Sequence, residues 1–131
     1  MEAEVFSMTG GKKTWYIADG WIPRRGIEEH ANYVGHEAVI ILNTQSQNAR
    51  IYMDIYFEEK EPWENIEITV PAKKVRCLRM DNPADIGNQC LQRHEQYALR
   101  LRSDVPVIVQ FGRMDTTQSN LAYIGVMGYG E

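Results

Sequence analysis

The chain has little of what disulfide-stapled, metal-binding or membrane-spanning proteins carry. It holds two cysteines, Cys77 and Cys90, in 131 residues. They form no CxxC pair and neither sits in a close Cys/His grouping, so reduced thiols are expected. Cys77 lies in an apolar strand pattern and reads as a small core hydrophobe. Of the three histidines, His30 and His94 fall in loop sequence without ligand spacing. His36 and Glu37 are strand neighbours and point to opposite faces. No metal and no cofactor is therefore expected.

No apolar run approaches the roughly 20 residues of a membrane span. No charged n-region precedes an apolar h-region, so no signal peptide is expected and the reading is a soluble, cytoplasmic protein. Fourteen basic residues stand against 18 acidic ones, a net charge of −4. That excludes a basic footprint over the whole surface and leaves room only for a local patch. Long amphipathic helices, internal repeats and low-complexity tracts are missing. So are a Ser-His-Asp ordering, a glycine-rich phosphate loop and a paired catalytic carboxylate motif.

What is there is strand pattern. Residues 14–19 are rich in strand formers, and Gly20 interrupts them. The unbroken apolar stretch Ala38–Leu42 predicts a strand buried on both faces. Residues 50–57 alternate, with Ile51, Met53, Ile55 and Phe57 on one face, and Arg50, Tyr52, Asp54 and Tyr56 on the other. The short turn 45–49 makes this strand the expected hairpin partner of 38–44. Further strands are read over 66–70, 73–80, 97–102, 105–110 and 120–127. Ser103-Asp104 is expected to turn the chain, and Pro106 to sit at a strand start or edge. Residues 1–12 read as a flexible lead-in, with one domain over 13–131. Two long loops, 22–34 and 81–95, are read as functional or mobile segments. About eight short, mainly antiparallel strands, with turn signals roughly every ten residues, predict a single-domain all-β sandwich.

Three groups of residues carry possible chemistry. Gln110, Arg113, Asp115 and Gln118 follow an apolar strand and are expected to converge at a sheet end. Arg113 is suited to a bidentate grip on a carboxylate or phosphate. Trp15 and Trp21 would add a flat apolar wall for a sugar-like or anionic metabolite. The competing reading has both tryptophans sealing the core or a subunit contact. Candidate ligand-binding residues are thus Trp15, Asp19, Trp21, His36, Arg113, Asp115 and Gln118. Arg76, Arg79, Arg93, Arg100 and Arg102 form a basic group in mid-chain. Arg100 and Arg102 share a strand face that can meet DNA or an acidic partner, or that can simply be solvated.

Five blocks in order carry a family resemblance. They are WYIADGWIP (15–23), HEAVIILN (36–43), EKEP (59–62), TVPAKK (69–74) and VPVIVQ…RMD…Q (105–118). The chain resembles the soluble sensory rhodopsin transducer family over residues 12–127. The resemblance implies a β-sandwich that assembles as a homotetramer, acts in the cytoplasm and has no catalytic residues. It also implies contact with the cytoplasmic face of a membrane photoreceptor and relay of its signal. The family has further links to DNA binding, and its sandwich is similar to carbohydrate-binding folds. Loop 81–95 departs from the pattern, being longer and richer in Gln, Arg and His. The expected function is therefore a non-enzymatic transducer or interaction module. The alternatives are a small-ligand binding protein and a DNA-binding regulator.

Overall fold

The computed structural model describes residues 10–26, 33–118 and 120–131. Eight strands account for most of them: β1 (Lys12–Trp21), β2 (His36–Asn43), β3 (Ala49–Phe57), β4 (Trp63–Val70), β5 (Lys74–Arg79), β6 (Gln96–Asp115), β7 (Ala122–Met127) and β8 (Tyr129–Gly130). All the pairings between them are antiparallel. The all-β expectation therefore holds. One layer runs β4-β3-β6-β1-β8, and in the other β2 lies between β5 and β6, with β7 on the far side of β6. Among the described residues no helix is long and apolar enough to cross a membrane.

The inner faces of both layers feed one core. Ile51, Met53, Ile55, Leu99 and Leu101 from the first layer join Val39, Ile41, Leu78, Val109 and Phe111 from the second. Period-two alternation explains this, since side chains at i and i+2 share a face. The alternation read for 50–57 holds for Ile51, Met53 and Ile55, each fully buried.

Strand β6 joins the layers. Its 20 residues keep one parity throughout, with Tyr97, Leu99 and Leu101, then Val107, Val109 and Phe111, all turned inward. The chain does not turn at Ser103-Asp104, as the sequence suggested. Instead β3 pairing ends at Ser103 and β2 pairing begins at Ile108. The β1 register also shifts there, between Thr14↔Arg102 and Lys12↔Val107. Pro106 falls in this gap, where no ladder asks for its missing N–H. Asp104 serves the crossing by accepting the Arg50 backbone N–H at 2.8 Å.

Two further expectations are corrected. Strand β2 does not form a hairpin with β3; it pairs with β5 and β6, while β3 pairs with β4 and β6. Buried Asn43 redirects the chain. Its Nδ2 donates to Gln47 O at 2.8 Å and to Val70 O at 3.1 Å, tying the turn to the end of β4. Cys77 is exposed, not a core residue, because Leu78 is the inward position of β5.

Most of the 1–12 lead-in, and residues 27–32 of the first long loop with His30, lie outside the described residues. Lys12 already pairs in β1. The second long loop holds a 3₁₀ turn, Pro83–Asp85, capped by Asn82.

Candidate functional site

Glu37 is the centre of the site, although its side chain has no accessible surface. It shares the inward parity of Val39 and Ile41 on β2, so a carboxylate enters the core and must find donors there. Three reach it. The Trp21 backbone N–H donates to Oε1 at 2.7 Å, the Tyr97 hydroxyl to Oε1 at 2.6 Å, and Arg113 Nε to Oε2 at 2.7 Å. Glu37 and Arg113 are register partners across β2 and β6. Burial, then the Glu37 charge and hydrogen bond, push the Tyr97 phenol well above its ordinary range. Tyr97 is thus held as a donor.

The bulge of β1 makes room for this network. The β1–β6 register shifts between Ile17↔Leu99 and Gly20↔Tyr97. A Cβ on Gly20 would overlap the Tyr97 ring. Glycine is needed there so that Tyr97 can lie against the strand and aim its hydroxyl at Glu37. The Asp19-Gly20 pair is therefore a bulge inside β1, which runs on to Trp21, and not the end of the strand.

Arg113, braced through Nε, borders an open cleft of about 250 Å³ lined also by Asp19, Glu37, Phe111, Ile124 and Val126. Its Nη1 and Nη2 make no hydrogen bond among the described residues, and its side chain is 32% exposed. Among the described residues Asp19 accepts one hydrogen bond, from Gln96 Nε2 at 3.0 Å. Ile124 and Val126 stand across from Arg113 and Phe111 in the β6–β7 ladder. They are 61% and 52% exposed.

Of the residues expected to meet here, Asp19 and Arg113 do. Trp15 is a core residue, 6% exposed. Its Nε1 reaches Lys12 O and Val107 O, both at 3.0 Å, across the β1 irregularity. Trp21 stacks on His94 with ring centroids 4.9 Å apart. It lines a separate cleft with Pro23, Arg24, Asp115 and Thr117. His36 is the register partner of Met114 on β6, and its Nδ1 is 2.7 Å from Val34 O. Asp115 accepts from the Thr117 hydroxyl and backbone N–H, which hold its carboxyl below the usual range. Gln118 bonds to Asp115 O at 3.2 Å. Gln110 is exposed and has the opposite parity from Arg113, so the two sit on different faces.

The arginine group is largely engaged. Arg100 and Arg102 both bind Asp54, whose side chain has no accessible surface. Arg79 binds Asp81 through two N–H groups, each at 2.8 Å. Arg93 Nη1 donates to Pro23 O and Gly35 O, both at 2.7 Å, and so holds the ends of the 22–35 loop. Arg76 Nη1 donates to Thr69 O at 3.0 Å. Among the described residues no group of three or more His, Cys, Asp or Glu is placed to hold a metal ion.

Glu37 and Tyr97 escaped the search for site residues, yet parity would have found them. Glu37, Tyr97 and Arg113 each share the parity of an inward apolar series, so all three turn inward, and the β2–β6 register sets Glu37 opposite Arg113.

Comparison with known proteins identifies the family of the chain. The structure of Thermotoga maritima 1070 is similar at a TM-score of 0.80 and 27% identity, over 92% of this chain and 96% of that one. The Anabaena sensory rhodopsin transducer is similar at a TM-score of 0.65 and 30% identity, over 80% of this chain and 91% of that one. No curated protein matches significantly. Residues 10–130 match the family described as Anabaena sensory rhodopsin transducer, nearly the whole chain. The chain belongs to the sensory rhodopsin transducer family.

Proposed function

We propose that the chain is a non-enzymatic signal-transducing module that acts as a homo-oligomer, with a second copy seated on the outer face of the β5-β2-β6-β7 layer. One observation carries this reading: the outer face of that layer exposes several large apolar side chains around Gln110. Outward from the core it presents Val75, Leu42, Tyr123 and Met127, all exposed. Ala38, Gly112 and Gly125 lie between them and keep the surface low. Exposed groups of large apolar side chains of this kind mark interaction sites. Strand β7 has one strand neighbour among the described residues, β6. It exposes a ladder edge that a second β7 can pair in antiparallel, two-fold fashion. The family likeness favours a homotetramer and a membrane photoreceptor as upstream partner.

Light scattering coupled to gel filtration tests this. The wild-type chain is expected to run as an oligomer at micromolar concentration, and Val75→Asp with Met127→Glu to run as a folded monomer. A wild-type monomer would sink the reading.

A second reading is favoured by the Arg113 cleft: a small-ligand binding protein whose ligand biases the assembly. A guanidinium fixed at Nε, bordering a cleft and making no hydrogen bond through its terminal nitrogens among the described residues, is a prepared docking point. Loss of ligand-induced thermal stabilisation in Arg113→Gln tests it. Nucleic-acid binding draws less support, because Arg100 and Arg102 are already committed to Asp54.

A further inference from the structure

We infer that the cleft beside Arg113 takes a zwitterionic, apolar α-amino acid. Its carboxylate would lie on the Arg113 fork, its ammonium on Asp19, and its side chain against Phe111, Ile124 and Val126. This rests on the ligand-binding reading of the cleft and names the class of ligand.

Charge decides first. The cleft is bordered by two carboxylates, Asp19 and Glu37, and one guanidinium, Arg113. Among the described residues Glu37 is met by three donors and no acceptor, the donor set a carboxylate needs. The formal sum is one negative charge. A phosphate or dicarboxylate would gain one partner and face two repelling groups, so multiply charged anions are disfavoured. A ligand with one negative and one positive group satisfies both open positions. Among the described residues these are the two Nη groups of Arg113, which make no hydrogen bond, and the Asp19 oxygen left over after Gln96 has bonded Oδ1.

Shape decides next. Apart from those charges, the lining is one aromatic and two branched aliphatic side chains. A sugar needs several hydrogen-bonding groups for its hydroxyls, and the apolar wall offers none. A hydrocarbon side chain fits that wall and gains from leaving water. The volume of about 250 Å³ lies just below the roughly 300–1,000 Å³ usual for ligand pockets. Such a space seats a single amino acid.

The position also gives the ligand a lever. Ile124 and Val126 face the cleft, while Tyr123 and Met127 on the same strand face the proposed partner copy. An amino acid packed against β7 from within would order the strand whose other side and edge form that contact. Ligand occupancy and assembly are then linked.

Isothermal titration calorimetry of the full chain tests this, with L-phenylalanine and L-leucine as probes. The controls are 3-phenylpropionate, which lacks the ammonium, and 2-phenylethylamine, which lacks the carboxylate. D-glucose and inorganic phosphate complete the set. At least one amino acid is expected to bind roughly tenfold or more tighter than either half-ligand, the scale of one charge-assisted hydrogen bond. Asp19→Asn keeps the Gln96 contact and should fold. It is expected to weaken amino-acid binding about tenfold while leaving 3-phenylpropionate unchanged or improved. If 3-phenylpropionate, glucose or phosphate binds as tightly as the amino acids and Arg113→Gln abolishes it, the zwitterion assignment is overturned and the cleft reading stands. Absence of binding by every probe at millimolar concentration overturns both.

Discussion

Asp54 and Arg100 face each other across the β3–β6 ladder, and Arg100 donates to Asp54 Oδ2 through Nε at 3.0 Å and Nη2 at 2.9 Å. Arg102 Nη2 adds bonds at 3.1 and 3.2 Å, and the Asn65 backbone N–H another at 2.8 Å. Asn65 adopts a φ of 61° to make its contact, a left-handed geometry that asparagine tolerates. A carboxylate on the outer face of the first layer is thereby roofed over by its own arginines.

Burial alone would raise the Asp54 pKa, but the Asn65 and Arg100 hydrogen bonds and the two arginine charges outweigh it. The carboxyl titrates below its ordinary value of 3.8. A group depressed in the folded state adds stability that is complete above its unfolded pKa and is lost as pH falls through the folded value. Thermal stability is therefore expected to drop below about pH 4, and Asp54→Asn to flatten that drop. Asp81 and Asp115 are depressed too, so some acid sensitivity should remain. At neutral pH, Asp54→Asn should cost about 2 kcal/mol. That is less than a fully buried pair, because solvent screens the arginines. Denaturant titrations at pH 7 and pH 3 check both statements, and an undiminished acid drop in the variant would refute the assignment.

The Glu37–Tyr97 hydrogen bond gives the opposite pH signature. Burial and the neighbouring carboxylate raise the Tyr97 phenol far above its ordinary value of 10.0. A group raised in the folded state stabilises fully below its unfolded pKa, and that contribution is lost as pH climbs past it. Alkaline unfolding is expected to set in above about pH 10. Tyr97→Phe should cost about 1–2 kcal/mol at neutral pH, by leaving Glu37 one donor short. The same variant should blunt the alkaline loss. Circular dichroism melts across pH 7–11 would read both effects.

Much of the fold was legible because alternation is a local property. Ile51, Met53 and Ile55, or Leu99 and Leu101, announce an inward face without reference to any partner. Which strand lies beside which is not local. The turn at 45–49 looks like a hairpin turn, and only Asn43, bonded to the end of β4, sends the chain to the other layer. Ser103-Asp104 has turn composition, yet β6 passes straight through, its partner changing there from β3 to β2. The same limit governed the site. Asp19 and Arg113 were chosen by chemistry and do share a cleft. Trp15 was chosen the same way, but its inward parity with Ile17 takes it into the core.

Two glycines that both lie close to a tyrosine should respond differently to alanine. A Cβ on Gly20 would overlap the ring of Tyr97, which is buried and pinned by Glu37. A Cβ on Gly112 would overlap the hydroxyl end of Tyr123, which is 56% exposed and can swing away. Gly20→Ala is expected to cost about 1–3 kcal/mol, as overpacking does. Gly112→Ala should stay within about 0.5 kcal/mol in a monomeric background. Equal costs in urea titrations would show that Tyr97 is not pinned.

Cysteine reactivity reports on the proposed assembly. Cys77 and Cys90 are both exposed in the single chain. Cys77 lies opposite Ile40 on the outer face of the β5-β2-β6-β7 layer, where a second copy is proposed to sit. Cys90 lies in the 81–95 loop, outside the strands of that layer. A monomer should therefore give two fast equivalents with a thiol reagent such as dithionitrobenzoate. An oligomer closed over this layer should give one fast equivalent, from Cys90, and one slow equivalent, from Cys77. Cys77→Ser identifies which is which, and Val75→Asp with Met127→Glu should convert the slow thiol to a fast one. Two fast equivalents from a protein that scatters light as an oligomer would place the contact elsewhere and remove the outer face as its seat.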